Sequence, residues 1–379
     1  MADQEIDVQV NVRHLVGALA LLVALGAAAQ ASPQKIPRVG FCGGFGDPGH
    51  IFTKTFYEGM RKRGWEDGRN VRILMPPKEN WPHKPCGDFM ANKGLDVLVL
   101  EQHNDPNPKI PVVTKLSGVA GSALATSRTR NITGVTREHG SWQEDSKRIA
   151  LLKEALSADR VLLMEAAMPG PKVKPGMGTM NDTPADLLDA ARKLGVAIVP
   201  VTITRREDLL DPALNAMAEQ PRSAAIVYDS PNWWKVGAAE EITLFMLRHR
   251  KRLPVMSLKA DWVLARYPIP ELERIIAYGT SYLDERERYA YFVDRILRGA
   301  KPSELPFEQT PNRLALNLDA AKAAGITFPR SILMQADWVV PHHPRFDWTT
   351  TPEPPPATEL EERMRAEWEE RMRAILRSQ

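Results

Sequence analysis

The sequence predicts an α/β protein built from two successive open units, each a doubly wound parallel sheet flanked by helices. Three observations predict it. Short apolar runs alternate with segments of helical period, the pattern of βαβ units. The alternation runs from Arg38 to Thr114 and begins again at Trp142. A chain of 379 residues is also long enough for two cores of ordinary size.

In the first unit, Arg38 to Cys42 is an apolar run ending in glycines and reads as a strand, followed by a helix from Ile51 to Arg63. Gly68 to Met75 gives a second strand. Leu95 to Glu101 (LDVLVLE) is a third, apolar enough to be buried on both faces, and Ile110 to Thr114 a fourth. The units join near Asn131 to Gly140. In the second unit, Trp142 to Leu156 is an amphipathic helix with Ile149, Leu152 and Leu156 on one side. Strands follow at Arg160 to Ala166, Val196 to Ile203, Ala224 to Tyr228 and Pro254 to Ser257. Helices fall at Pro184 to Leu194, Leu209 to Ala218 and Ala238 to Arg250.

Two segments break the rhythm. Met168 to Asp182 (MPGPKVKPGMGTMND) is a Pro/Gly-rich loop where strand–helix turns are ordinarily short. His342 to Thr358 is Pro-rich and extended. Beyond it Leu360, Met364, Trp368, Met372 and Leu376 recur every fourth residue, and Glu361–Arg365, Glu367–Arg371 and Glu369–Arg373 are spaced to pair. This predicts a C-terminal amphipathic helix docked on its own domain.

The composition, 43% hydrophobic and 26% charged, is that of a globular protein and excludes disorder, collagen and a multi-span membrane protein. The 50 basic and 47 acidic residues leave a net charge of +3, too weak a field to imply nucleic acid. Leu15 to Ala29 is an unbroken run of Leu, Val, Ala and Gly, too short for a finished membrane span. Arg13 and His14 precede it and Ala29-Gln30-Ala31 follows, the three parts of a secretory signal peptide over residues 1–31. The expected mature chain begins at Ser32 in the periplasm. The acidic start, Asp3, Glu5 and Asp7, departs from that pattern; one explanation is a start codon set too far upstream, and the competing reading of the run is a membrane anchor or a buried strand–helix segment. Val39-Gly40-Phe41 before Cys42 is not a lipobox.

Candidate site residues cluster after strands. Gly44-x-Gly46-x-x-Gly49 follows a strand and precedes a helix, as a dinucleotide fingerprint would. Pro48 inside the turn, and Met75-Pro76-Pro77-Lys78 where an acidic residue is needed, argue against it. Gly43, Gly44 and Gly46 instead bring backbone N–H groups near a small solute or shape the turn, beside Asp47 and His50. Glu101 and His103 follow the third strand. Asp229, Ser230, Asn232 and Trp233 follow the strand ending at Tyr228. A carboxylate there suits an ammonium group and a tryptophan a flat or cationic one, while a helix cap with core tryptophans is the competing reading. Cys42, His50, His83, Cys86 and His103 also fall in loops after strands. They leave three readings open: a Zn or Cu site, a Cys42–Cys86 disulfide, and two plain thiols. No Ser-His-Asp, Walker or paired-carboxylate arrangement stands out, so the expectation is a protein without enzymatic activity, metal or cofactor.

Several stretches resemble one family in order: Gly64 to Ile73 (GWEDGRNVRI), Asn131-Ile132-Thr133-Gly134, Leu151 to Leu156 (LLKEAL), Tyr278-Gly279, Ile296 to Pro302, Leu305 to Gln309, Asn317 to Ile326 and Ala336-Asp337. Over about Arg38 to Val340 the chain is similar to bacterial ABC-transporter substrate-binding proteins of the tryptophan/tyrosine uptake type. The resemblance implies a type I periplasmic-binding fold, two lobes joined by a hinge that close on a solute. It implies lobes at 36–137 with 277–303 and at 138–276 with 304–340, then a linker and tail at 342–379. It places Tyr278 at the cleft with the loop residues above. It implies a monomer that captures a small solute, such as an amino acid or related organic acid, and delivers it to an ABC permease and its ATPase. The chain departs from the family at Gln102 to Lys109, Lys115 to Gly118 and Tyr267 to Glu273, segments expected to touch the solute. A sensor without transport, or a metal-dependent cleft enzyme, are the alternatives.

Overall fold

The computed structural model describes residues 35–42, 51–76, 90, 93–102, 108–117, 130–137, 142–169, 176–177, 185–228, 232–264, 274–340, 370 and 377. The signal segment at 1–31 and the tail from His342, apart from Glu370 and Arg377, lie outside them.

The first sheet starts with β1 (Arg38–Phe41), β2 (Arg72–Leu74), β3 (Val97–Gln102), β4 (Val112–Ser117) and β5 (Ile132–Arg137). The second holds β6 (Arg160–Ala166), β7 (Gly176–Met177), β8 (Ala197–Ile203), β9 (Ser223–Val227), β10 (Val255–Ser257) and β11 (Ile276–Gly279). The chain then returns to the first sheet as β12 (Glu308–Gln309) and ends in the second as β13 (Arg313–Asn317) and β14 (Trp338–Val340). The orders are β12-β5-β4-β3-β1-β2 and β14-β13-β11-β10-β9-β6-β8-β7. The fold is thus two α/β lobes, and the chain crosses between the sheets after β5, after β11 and after β12.

Every pairing in the first sheet is parallel. The second is parallel except for β7–β8 and β11–β13. Those two antiparallel pairs are exceptions within the parallel sheets expected from sequence. The first lies inside the predicted loop Met168 to Asp182. The second arises because β13 enters the sheet from the other lobe rather than through a crossover helix.

The helices are α1 (Ile51–Lys62), α2 (Trp142–Leu156), α3 (Ala185–Lys193), α4 (Pro212–Ala218), α5 (Asn232–Lys235), α6 (Ala239–Arg248), α7 (Asp261–Leu264), α8 (Tyr282–Leu297), α9 (Leu318–Ala323) and α10 (Arg330–Gln335). α1 and α8 cover one face of the first sheet. Phe56, Met60, Tyr289, Phe292 and Val293 pack there on Val39, Phe41, Val97, Val99 and Val113. Gly59 lets the two helices approach, since a Cβ there would stand 2.7 Å from that of Ala290. In the second lobe Ile149 and Leu152 of α2 join Val161, Leu163, Ile226 and Met256 on one face. Phe245 of α6 joins Leu162, Met164 and Ala225 on the other. No helix among the described residues is long and apolar enough to cross a membrane.

Two sequence expectations are refined. The joint expected near Asn131 to Gly140 holds β5 in its first part, and the first crossing follows Arg137, before Trp142. Gly134 makes this strand look like a linker, yet it is required there: its φ is 141°, and a Cβ would lie 1.9 Å from the Thr114 carbonyl oxygen. The single helix expected at Leu209 to Ala218 is a 3-10 turn (Arg206–Leu210) followed by α4. Pro212 cannot continue a helix from before it but suits the first helical position, and Asp211 caps α4 by accepting from the Ala213 N–H at 2.8 Å.

Candidate ligand cleft

Parallel pairing puts the C-terminal ends of β1, β3, β4 and β5 on one edge of the first sheet. Those of β6, β9, β10 and β11 share one edge of the second. In open α/β sheets that edge is where ligands bind. Gly43, Gly44, Gly46, Asp47, His50, His103, Asp229 and Ser230 lie outside the described residues. Glu101 is in β3, with only its backbone described.

Three expected site residues are described. Asn232 opens α5, and its Nδ2 donates to the Ala166 carbonyl at the end of β6, 3.0 Å away. Trp233 is 6% exposed, packs in the core of the second lobe and donates its Nε1–H to the Tyr228 carbonyl at 2.8 Å. Its ring also lines a pocket of about 270 Å³ with Tyr228, Ile242, Met246, Trp262 and Arg274. Tyr278 in β11 is half-buried, and burial raises its hydroxyl above the ordinary value, helped by Glu144. Its carbonyl accepts from Arg148 Nε at 3.1 Å.

Arg148 belongs to a network that ties these strand ends together. It donates to Asp145 at 2.7 Å and to Glu144 at 2.9 Å. Asp145, fully buried, also accepts from the Tyr228 hydroxyl at 2.8 Å. Burial, and then the Asp145 charge, push that hydroxyl above its ordinary value. Glu144 accepts in turn from Asn312 Nδ2 at 2.9 Å. Asn312 lies in the crossing between β12 and β13, so α2 holds the ends of β9 and β11 and one inter-lobe segment at once.

Sequence reasoning missed a second, charged cluster between the sheets. Lys115 of β4 and Lys259 after β10 both reach Glu285 in the first turn of α8, at 3.4 Å and 2.7 Å. Arg286 is enclosed by the rings of Phe52, Tyr282 and Tyr289, and burial lowers its guanidinium from the ordinary value. The signal was Lys115 itself, a charge inside an otherwise apolar run (PVVTKLS).

Asp261 caps α8 from the second lobe. It accepts from Tyr282 N at 2.6 Å and Ser281 Oγ at 2.8 Å. Burial nevertheless pushes its carboxyl up to about 6. Between about pH 4 and 6 the folded protein keeps a proton there that the unfolded chain has lost. Stability therefore falls as pH rises through that window, by roughly 3 kcal/mol, and this group adds no slope above it. Urea unfolding at pH 4 and pH 6.5 should show the fall in the native protein and not in Asp261→Asn, where other carboxylates cancel in the difference. Identical pH profiles for the two proteins would refute this.

Cys42, 4% exposed at the end of β1, is disulfide-bonded. The other cysteine in the sequence is Cys86, outside the described residues. A disulfide sulfur is not a thiolate, so Cys42 is no metal ligand.

In solved structures this two-lobed arrangement recurs. A conserved domain protein from Vibrio cholerae aligns over 80% of this chain and 100% of its own, at 20% identity and a TM-score of 0.54. An ABC domain from Streptococcus pneumoniae, in complex with L-Trp, aligns over 80% and 99%, at 16% identity and 0.53. A ligand-free, open substrate-binding protein with adhesive properties from Clostridium difficile aligns over 80% and 99%, at 17% identity and 0.54. At such identities the likeness concerns the fold. No curated protein matches by sequence. The profile of ABC transporter substrate binding proteins matches residues 106–340, beginning after β3 and running to the end of β14. That span includes the whole second lobe, all three crossings and every charged residue of both networks between the strand ends, and by it the chain belongs to the ABC transporter substrate-binding protein family.

Proposed function

We propose that this protein captures a small solute between its two lobes outside the cytoplasm and hands it to an ABC permease driven by its ATPase. The observation that carries the reading is the triple crossing between two sheets whose strand ends form the expected binding edges, in a chain of this family. The L-Trp held by the Streptococcus pneumoniae neighbour supports a solute of amino-acid size. The loop Gly43 to His50, with Glu101 and His103, forms the first-lobe side of the site. Asp229 to Trp233 and Tyr278 form the second. Binding needs no chemistry: fixed polar groups and desolvation supply affinity, and closure presents both lobes to the permease. The disulfide at Cys42 supports an oxidising compartment, as does the signal segment at 1–31.

The test is to express the full chain in a Gram-negative host, fractionate the cells, and determine the N-terminal mass and free-thiol content. A periplasmic product starting near Ser32 with no free thiol is expected, and native mass spectrometry of that product should reveal a co-purifying small solute. A cytosolic product with an intact N-terminus and two free thiols would overturn the reading.

A further inference from the structure

Glu285 stands where the two lobes meet. It sits in the first turn of α8, whose body packs on α1 and the first sheet. Its Oε2 accepts from Lys115, a residue of that same sheet, at 3.4 Å. Its Oε1 accepts from Lys259, which follows β10 of the second sheet, at 2.7 Å. One carboxylate is thus shared between the lobes, one oxygen to each. Lys259 and Glu285 are both fully buried, and Lys259 also donates to Thr280 Oγ1 at 2.8 Å. The ring of Tyr282 lies 4.1 Å from the Lys259 ammonium and 5.1 Å from that of Lys115.

Other groups hold the second lobe to the same turn. Asp261 grips Ser281 and Tyr282, and Arg313 of β13 donates to Asp284 at 2.9 Å. Phe52 of α1 packs among Ala260, Val263 and Leu264. A buried charged contact is strong at short range and is either made or broken, which suits a two-state element.

We propose that the Lys259–Glu285 contact is an inter-lobe latch that sets, without solute, the fraction of molecules whose lobes lie together. This rests on the reading of a protein that closes on a solute, and it extends that reading. Such a contact tunes affinity even without touching the solute, because the apparent Kd is the intrinsic one divided by the competent fraction. Lys115 binds the same carboxylate, but from the sheet α8 already packs on, so that contact does not itself bridge the lobes. A merely structural cluster would not distinguish the two lysines.

Single-molecule FRET on solute-free, full-length protein tests this, with dyes clicked onto non-natural residues at the exposed positions Arg69 and Leu210 so that the disulfide is spared. The native protein should give a dominant short-distance population and a minor long-distance one. Lys259→Met should raise the long-distance fraction roughly tenfold, Thr280→Val should shift it less in the same direction, and Lys115→Met should leave it as in the native protein. No shift in Lys259→Met, or an equal shift in Lys115→Met, overturns the latch. If circular dichroism shows Lys259→Met unfolded, Thr280→Val decides, and an unshifted distribution there overturns it too. No arm uses a solute, so failure here is separate from failure to find one co-purifying.

Discussion

Asp145→Ala is expected to lower stability by about 3–5 kcal/mol, the usual cost of removing one partner from a buried ion pair. Arg148 is 3% exposed, and Asp145 is its most deeply buried acceptor. The alanine would leave the guanidinium with Glu144 and the Tyr278 carbonyl alone, and the Tyr228 hydroxyl with no acceptor at its tip. Tyr228→Phe removes only the second of these bonds and should cost about 0.5–1.5 kcal/mol. The ratio between the two variants is the informative quantity. Urea unfolding of both at neutral pH measures it, and an Asp145→Ala protein within about 1 kcal/mol of the native one would show that the network is not structural. The same variant should also weaken solute binding, because Tyr228 and Tyr278 would lose the helix that aligns their strand ends.

The alternation of apolar runs and helical periods made the two lobes legible, since each β–α step buries its own side chains locally. α2 and β6 appear with the bounds expected from sequence. The crossings were harder. β5 is interrupted by Gly134, which satisfies a contact with Thr114 that no local pattern encodes. β12 and β13 are short and take their partners from sequence-distant strands, Val135 and Thr136 in one case and Ile276 to Gly279 in the other. The site divides the same way. The expected site residues Asn232 and Trp233 follow a strand, and both reach backbone carbonyls at strand ends. Lys259 and Glu285 stand 26 residues apart, and Lys115 is 170 from Glu285. Lys115 stands out as a charge inside an apolar run, but its partners are sequence-distant and only the folded chain brings these charges together.

Gly279→Ala is expected to destabilise the protein by about 3 kcal/mol, the upper end of the ordinary cost of overpacking. The cost is steric alone. A Cβ at this position would stand 1.8 Å from the Leu258 carbonyl oxygen and 2.7 Å from its carbon. Both atoms are backbone, so no side chain can swing aside, and β10 and β11 must separate where they pair at Ser257 and Ala277. The displacement would not stay local. Leu258 precedes Lys259, and Gly279 precedes Thr280 and the Ser281 cap of α8, so the two ends of the proposed latch ride on the two strands being forced apart. Gly195 offers the contrast: its φ of 66° disfavours a side chain, but nothing lies within 4 Å of a Cβ there. Gly195→Ala should therefore cost about 1–2 kcal/mol through backbone strain and leave the inter-lobe distance unchanged. Gly279→Ala should both lower the melting temperature further and lengthen that distance. Equal melting temperatures for the two variants, with the native inter-lobe distance in each, would mean that β11 can shift at Gly279 without carrying α8 along.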